Sequence, residues 1–485
     1  MTASHYIEFS AGSDDIASTW YLLASLIFSP QLKCRLYRAF WNMEVKEPEE
    51  DGFILLSNTD HVSTQVEQSC VPKYMCGIST CIDNLRGTLW SLNRYIHDNP
   101  ELAFQEHKAH DALTTFMELQ QGWEVRAHAY GIDTAWEAVF DTGRKGPTVS
   151  FNAEMDALPN IGHACGHNLI AVASVAAALA TAKTLTKNDL PGIVHLIGTP
   201  GEENPSPKGG KILLLEAGAY DDVDISLISH PGLPNNSALV RTTAFTRLEA
   251  EYFGKAAHAA NNPWQGINAL DALIIAYNAV SVLRQQLRPD DIIGMNITDG
   301  GKAPNIIHAY AAGTFVIRAP SSVRLDQLLQ KVQACLRAGA EATGARLSQK
   351  IYPGYADHVP NHVLAASYTR LFNALPNPVP SVPEPAIPPL DQYTYVKAST
   401  DQGNLSYVVP SVNASFSIPP GPEGGRNHTK DFEKASGTRE AFEKAMRVAK
   451  ALAGTAVESC GVEGLLEKVK EEWRKDMKKA KEEPP

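Results

Sequence analysis

The sequence predicts an α/β protein in which a mixed sheet flanked by helices is interrupted by an inserted α+β domain of ferredoxin-like order. Three observations lead there. Apolar, β-branched runs at 193–197, 223–228 and 412–418 read as buried parallel strands, because strands covered on both faces lose the apolar–polar alternation. Helical periodicity falls between them, in Ile82, Leu85, Leu89, Leu92 and Ile96 and again in the Ala-rich stretch 169–185. From Thr243 the spacing changes to β-α-β-β-α-β, the split motif of ferredoxin-like domains.

Taken in order, residues 1–77 mix cysteines, aromatics and an acidic run at 47–51 without sustained periodicity. They read as an atypical N-terminal extension, poorly ordered or an accessory element. Its apolar patch at 20–29 is too short to span a bilayer and follows Asp14-Asp15 rather than Lys or Arg, so neither a signal peptide nor a membrane partner is expected. Nor is a transmembrane helix expected further along. The main domain opens at 78–242 with two helices, a hairpin-like stretch at 124–140, a strand at 148–152 and the long helix. The insertion, 243–357, carries strands at 246–253, 292–298, 309–317 and 346–352. One helix presents Leu270, Leu273, Ile274, Tyr277 and Val280, and a second spans 325–338. Residues 358–460 complete the main domain through a Pro-rich loop at 376–389, a strand and an amphipathic helix. The tail, 461–485, has mixed charge at helical spacing and reads as a solvated charged helix.

Composition narrows the classes. With 485 residues, 44% of them hydrophobic, the chain can bury a large core over two domains. A formal net charge of −11 without a basic run excludes nucleic acid as a main partner. Seven cysteines, an odd number in no regular framework, favour a reducing, cytoplasmic setting.

The chemistry concentrates at the ends of the predicted strands. Glu154-Met-Asp-Ala-Leu-Pro leads through a Gly-punctuated loop to His163-Ala-Cys-Gly-His-Asn168. Gly198-Thr-Pro-Gly-Glu-Glu203, Ile228-Ser-His-Pro-Gly232 and Arg426-Asn-His-Thr429 follow. Cys165, His167, Glu203, His230 and His428 make a donor set suited to Zn²⁺ and larger than one tetrahedral ion needs. Two divalent ions per subunit are therefore expected, with Mn²⁺ or Co²⁺ accepted by the same donors. Adjacent acids after a strand suggest divided labour, with Glu203 as ligand and Glu202 as general base toward water. Asp156 reads as the acceptor that fixes a ligating imidazole, while Glu154 and His163 stay structural or supporting. A cysteine nucleophile at Cys165 is the rival reading, but a base two residues away rarely aligns with it.

Over about residues 78–455 these motifs resemble the M20 metallopeptidase family of aminoacylases, carboxypeptidases and amidohydrolases. Within it, Glu154-Met-Asp-Ala-Leu-Pro, Gly162-His-Ala-Cys-Gly-His-Asn-Leu-Ile170 and Ser399-Thr-Asp-Gln-Gly-Asn-Leu-Ser-Tyr407 look like the Xaa-Arg (β-alanyl-lysine) dipeptidase subgroup. The resemblance implies a zinc-peptidase-like catalytic domain carrying a lid and dimerisation domain. It puts Cys165 in the place of a metal-bridging acid, with His167, Glu203, His230 and His428 as the other ligands and Glu202 as general base. It implies that His258 reaches a neighbouring subunit's site in a homodimer, and that Asn305 and Arg318 bind the carbonyl and carboxylate of the substrate. The implied reaction is hydrolysis of a dipeptide or N-acyl amino acid by a metal-bound hydroxide. Two positions depart from the pattern: Asn168 stands where many amidohydrolases have Asp, and His308 where Pro is usual. The alternative expectation is a catalytically silent relative acting as a binding or scaffold protein.

Overall fold

The computed structural model describes residues 72–482 except 204–207, 233–234 and 382–383. Residues 1–71, with most of the expected extension and its apolar patch, lie outside the described residues.

The main domain opens with α1 (Lys73–Asp98), α2 (His107–Glu118), β1 (Glu124–Arg126), β2 (Trp136–Asp141), β3 (Thr148–Glu154) and α3 (His167–Lys187). It continues through β4 (Ile193–Thr199), α4 (Gly210–Glu216), β5 (Ile225–Gly232) and β6 (Val240–Arg241). The inserted segment follows as β7 (Ala244–Phe253), β8 (Ala257–His258), α5 (Ala269–Leu283), β9 (Ile292–Asp299), β10 (Ile306–Ile307), β11 (Tyr310–Ala319), α6 (Ser322–Thr343) and β12 (Arg346–Tyr355). The chain then returns through α7 (His362–Ala374), β13 (Thr394–Tyr395), α8 (Gln402–Ser406), β14 (Ser411–Ser417), α9 (Lys430–Ser436), α10 (Arg439–Gly461) and α11 (Leu465–Lys481).

Six strands form the main sheet in the order β1-β2-β4-β3-β5-β14. β3, β4, β5 and β14 run parallel, and β2 and β1 close one edge antiparallel. All of β3 is buried, which is why its sequence shows no alternation. α3 packs against β3 and between α1 and α10, and only Lys183, Thr186 and Lys187 on it are exposed. By length and composition this helix could cross a membrane, but it is almost wholly covered by its own fold. Each buried Val or Leu on it contributes about 1.5–3 kcal/mol relative to exposure.

The inserted segment builds a second, antiparallel sheet in the order β12-β7-β11-β9. β7 alternates strictly between buried and half-exposed positions, so one face is dry. That face carries Leu248, Phe315 and Ile317, which meet Leu273 of α5 and Leu328, Val332 and Leu336 of α6 in a core of their own.

Three expectations need correction. α1 begins at Lys73, so residues 73–77 belong to the first helix; Met75 extends the buried stripe of Ile78, Ile82 and Leu89 by one turn. α6 outruns 325–338 at both ends because Ser321 accepts the Arg324 amide and Gly344, at φ 77°, terminates the last turn. The charged tail helix is not merely solvated. α11 buries Val469 and Met477, Trp473 Nε1 donates to the Ser406 carbonyl (2.9 Å), and Asn361 Nδ2 donates to the Val469 carbonyl (3.0 Å).

Candidate active site

Parallel strands bring their C-terminal ends to one edge of the sheet, and the candidate donors follow from that. Glu154 ends β3, Glu202 and Glu203 follow β4, His230 lies on β5, and His428 sits in the connection after β14. Cys165 and His167 straddle Gly166, the residue at the start of α3 with φ 82°. A Cβ at Gly166 would meet Pro231 Cγ at 2.5 Å, so glycine is what lets the α3 terminus and the His230 segment approach.

All five expected ligands converge. Cys165, His167 and His230 offer donor atoms within 4.8 Å of one another, and so do Cys165, Glu203 and His428. The thiol is common to both groups. Cys165 Sγ lies 3.3 Å from His230 Nε2, and His428 Nε2 lies 3.4 Å from Glu203 Oε1. A third grouping joins His167 with both Glu202 and Glu203. Glu202 belongs only to that one and lacks the shared thiol, whereas Glu203 also belongs to the Cys165–His428 group.

Hydrogen bonding fixes which nitrogens face inward. His230 Nδ1 is 2.8 Å from the Pro231 carbonyl, which can only accept, so Nδ1 carries the proton and Nε2 presents its lone pair. His167 Nδ1 donates to Asp156 Oδ1 (3.0 Å), and its Nε2 likewise faces the cluster. Asp156 Oδ2 also accepts the Glu203 amide (2.8 Å), so one carboxylate orients two of the candidate donors. His428 adopts φ 68°, a conformation that costs a non-glycine residue about 1–3 kcal/mol. Its amide is held by the Ala164 carbonyl at 2.8 Å.

The electrostatics call for a cation. Burial, then the Glu203 charge, pushes the Cys165 thiol well above the usual thiol range. Burial, then Glu154 and Glu203, pushes Glu202 well above the carboxylate range. Burial opposes charge on His167, yet Asp156 holds its pKa well above the imidazole range. Among the described residues, His167 Nε2 and Glu154 Oε2 are buried without a hydrogen-bond partner, and Glu203 Oε1 faces His428 Nε2 at 3.4 Å. Carboxylates, a thiol and imidazole nitrogens crowded together at the strand ends fit divalent ions, which would displace the protons these groups otherwise hold.

Sequence reasoning left Glu154 unresolved and missed Lys211 and Asp401. Lys211 Nζ is fully buried between Glu154 Oε1 (2.7 Å) and Asp401 Oδ1 (2.6 Å), and Asp401 Oδ2 accepts the Lys211 amide (2.8 Å). The other Glu154 oxygen is 3.4 Å from His167 Nε2. Asp401 lies in the 399–407 motif, which was a signal; Lys211 follows two glycines and had none. His163 is buried with its ring stacked on that of His97, and burial drives its pKa down to about 3, so it is a neutral wall residue.

The two departures have local explanations. Asn168 Nδ2 donates to Asn93 Oδ1 (3.0 Å) and the Ser436 carbonyl (3.1 Å), roles an Asp cannot fill. Asn168→Asp should therefore cost about 1–3 kcal/mol, read as a lowered urea midpoint. An unchanged midpoint would contradict this assignment. His308 lays its ring over the turn at Gly301 while its carbonyl accepts the Ala269 amide (2.8 Å), so it tethers the start of α5.

The remaining expected site residues lie on the inserted domain. His258 is exposed, and its Nδ1 accepts from the Ala260 and Asn261 amides. The Asn305 carbonyl accepts the Ala259 amide (3.0 Å), joining these two residues on one loop pair. Among the described residues neither side chain hydrogen-bonds to the donor cluster. Arg318 is half-buried and donates to Ser399 Oγ (2.8 Å), two residues from Asp401.

Comparison with known proteins adds independent findings. The family model of the peptidase dimerisation domain matches residues 244–343. The chain is 39% identical over 404 residues to Xaa-Arg dipeptidase of Mus musculus, covering 81% of this chain and 90% of that protein. It is 37% identical over 414 residues to Xaa-Arg dipeptidase of Homo sapiens, with the same coverage of 81% and 90%. A solved Bacillus subtilis structure described as a dinuclear metal-binding peptidase superposes with a TM-score of 0.58 at 19% identity, covering 78% of this chain and 99% of that one. That likeness concerns the fold.

Proposed function

This chain belongs to the M20 family of metallopeptidases, metal-dependent hydrolases of amide bonds, and from that membership we propose that it cleaves a dipeptide or N-acyl amino acid bearing a free carboxylate, with Glu202 as general base. The observation that carries the proposal is the pair of donor groups sharing Cys165, with Glu202 Oε2 beside them, 3.9 Å from His167 Nε2.

The residues divide as follows. Cys165, His167 and His230 would hold one divalent ion, and Cys165, Glu203 and His428 a second. Sulfur, nitrogen and oxygen donors together favour Zn²⁺, with Mn²⁺ or Co²⁺ as substitutes. Such ions supply Lewis acidity, polarising the scissile carbonyl and acidifying water. Glu202 takes the proton from water at a carboxylate oxygen and returns it to the departing amine nitrogen. Burial and two neighbouring carboxylates raise its proton affinity, which suits a group that must both accept and donate. Arg318 offers a planar fork to the substrate carboxylate, and Asn305 an amide to its carbonyl. His258, exposed on the inserted domain, would act in a partner subunit's site. A homodimer is supported by Ile274, Ile275, Tyr277 and Val282, exposed on α5, and by the open edge of β9.

A substrate panel tests the reading. Dipeptides ending in Arg or Lys and N-acyl amino acids, each with its C-terminal amide as control, are assayed by amine release from metal-loaded protein. The expected result is turnover of at least one free-acid substrate with strong preference over its amide. Fully loaded protein that releases no amine from any member would sink the proposal.

A further inference from the structure

Between Arg318 and Glu202 runs a continuous line of contacts. The Arg318 guanidinium lies 5.0 Å from the centroid of the Phe245 ring, its partner across β7 and β11. Phe245 meets the Tyr355 ring edge to face, with centroids 5.1 Å apart and planes at 88°. Tyr355, buried at the end of β12, donates its hydroxyl to the backbone carbonyl of Glu202 at 2.5 Å.

This geometry depends on a slip in the sheet. β12 pairs Tyr352 with Arg247, so unbroken register would set Tyr355 opposite Ala244, on the face that α5 and α6 cover. An irregularity after Tyr352 sets Tyr355 opposite Phe245 instead. A one-residue shift turns a side chain to the other face, here toward the base. Gly354 makes room, since a Cβ there would sit 1.7 Å from the Phe245 carbonyl oxygen.

The backbone of the base segment is held at three points. Glu106 Oε1 accepts the Gly201 amide (2.8 Å), Asp156 Oδ2 accepts the Glu203 amide (2.8 Å), and Tyr355 holds the Glu202 carbonyl. The first two holds come from the main domain; the third comes from the inserted one, which also carries Arg318.

We propose that Tyr355 is a positioning residue that couples carboxylate binding at Arg318, through Phe245, to the placement of Glu202. The inference rests on the reading of Arg318 as the carboxylate site and of Glu202 as the base. A carboxylate that draws the guanidinium shifts the ring beneath it, and Tyr355 carries that shift to the Glu202 backbone. Turnover then depends on the substrate's carboxylate beyond what binding alone confers. Small displacements matter, since misplacement by about 1 Å can cost roughly 100-fold in rate.

Steady-state kinetics of the metal-loaded full chain test this with a dipeptide ending in Arg and the same dipeptide as its C-terminal amide. Wild type should show a higher kcat for the acid. Tyr355→Phe, which keeps the ring, should lower kcat for the acid by roughly 3- to 10-fold, the worth of one hydrogen bond. The kcat for the amide should fall by less, so that the acid-to-amide kcat ratio shrinks, and the KM preference for the acid should persist. Phe245→Leu should collapse the kcat ratio in the same way with the hydroxyl still present, and carries the test if Tyr355→Phe folds poorly. Equal losses on both substrates, with the wild-type preference intact, overturn the coupling alone. A wild type without preference for the acid overturns the carboxylate reading of Arg318 and the coupling with it.

Discussion

Glu202→Gln should lower kcat by about 10²- to 10⁴-fold while both ions stay bound. The substitution preserves shape and hydrogen-bonding reach but removes the ability to take a proton. The competing assignment comes from the structure itself, which groups His167 with Glu202 and Glu203 within coordination distance. If Glu202 were a ligand, the same variant would lose metal. Activity and metal content measured on one preparation separate the two. Low activity with undiminished metal supports the base, and parallel loss of both contradicts it. Turnover close to wild type would remove Glu202 from the chemistry altogether.

Lys211→Met should destabilise the protein by about 3–5 kcal/mol, because it strands two buried carboxylates. Glu154 and Asp401 both contact the Lys211 ammonium, and all three side chains are essentially without solvent. Burial opposes the charge on Lys211, yet the two acids hold its pKa above that of free lysine. Adding Asp401→Asn to Lys211→Met should recover part of the loss, since one uncompensated charge is then gone. Urea midpoints of the single and double variants decide it, and a double variant no more stable than the single would contradict the charge account. The Lys211→Met variant should also bind divalent ions with altered affinity, because Glu154 reaches His167 with its second oxygen.

Much of the site was legible along the chain, and the reason is topological. Glu203 follows β4, His230 lies near the end of β5, Cys165 and His167 meet at the start of α3 after β3, and His428 sits in the connection after β14; parallel strands deliver such points to one edge. Asp156 was readable as the partner of an imidazole because it precedes the Cys/His cluster by a short loop. Lys211 was not. A lysine after two glycines looks like any solvated cation until packing places it between residues 57 and 190 positions away. Tyr355 was hidden for another reason, since its facing depends on a one-residue slip that period-2 reasoning assumes absent. In α11, Val469 and Met477 form an apolar stripe too sparse to stand out among lysines and glutamates. The inserted domain was readable in order but not in extent, because caps such as Ser321 and Gly344 set the ends of α6.

The two donor groups that share Cys165 call for a two-ion centre built around one cysteine. Protein stripped of metal by a chelator and titrated with Zn²⁺ by calorimetry, with amine release followed in parallel, tests it most directly. Two equivalents per chain are predicted, with activity absent from the stripped protein and restored as both fill. In Cys165→Ala both equivalents should weaken together, since both donor groups contain that thiol. A single equivalent per chain, or a Cys165→Ala variant that loses one equivalent and keeps the other at wild-type affinity, would contradict it.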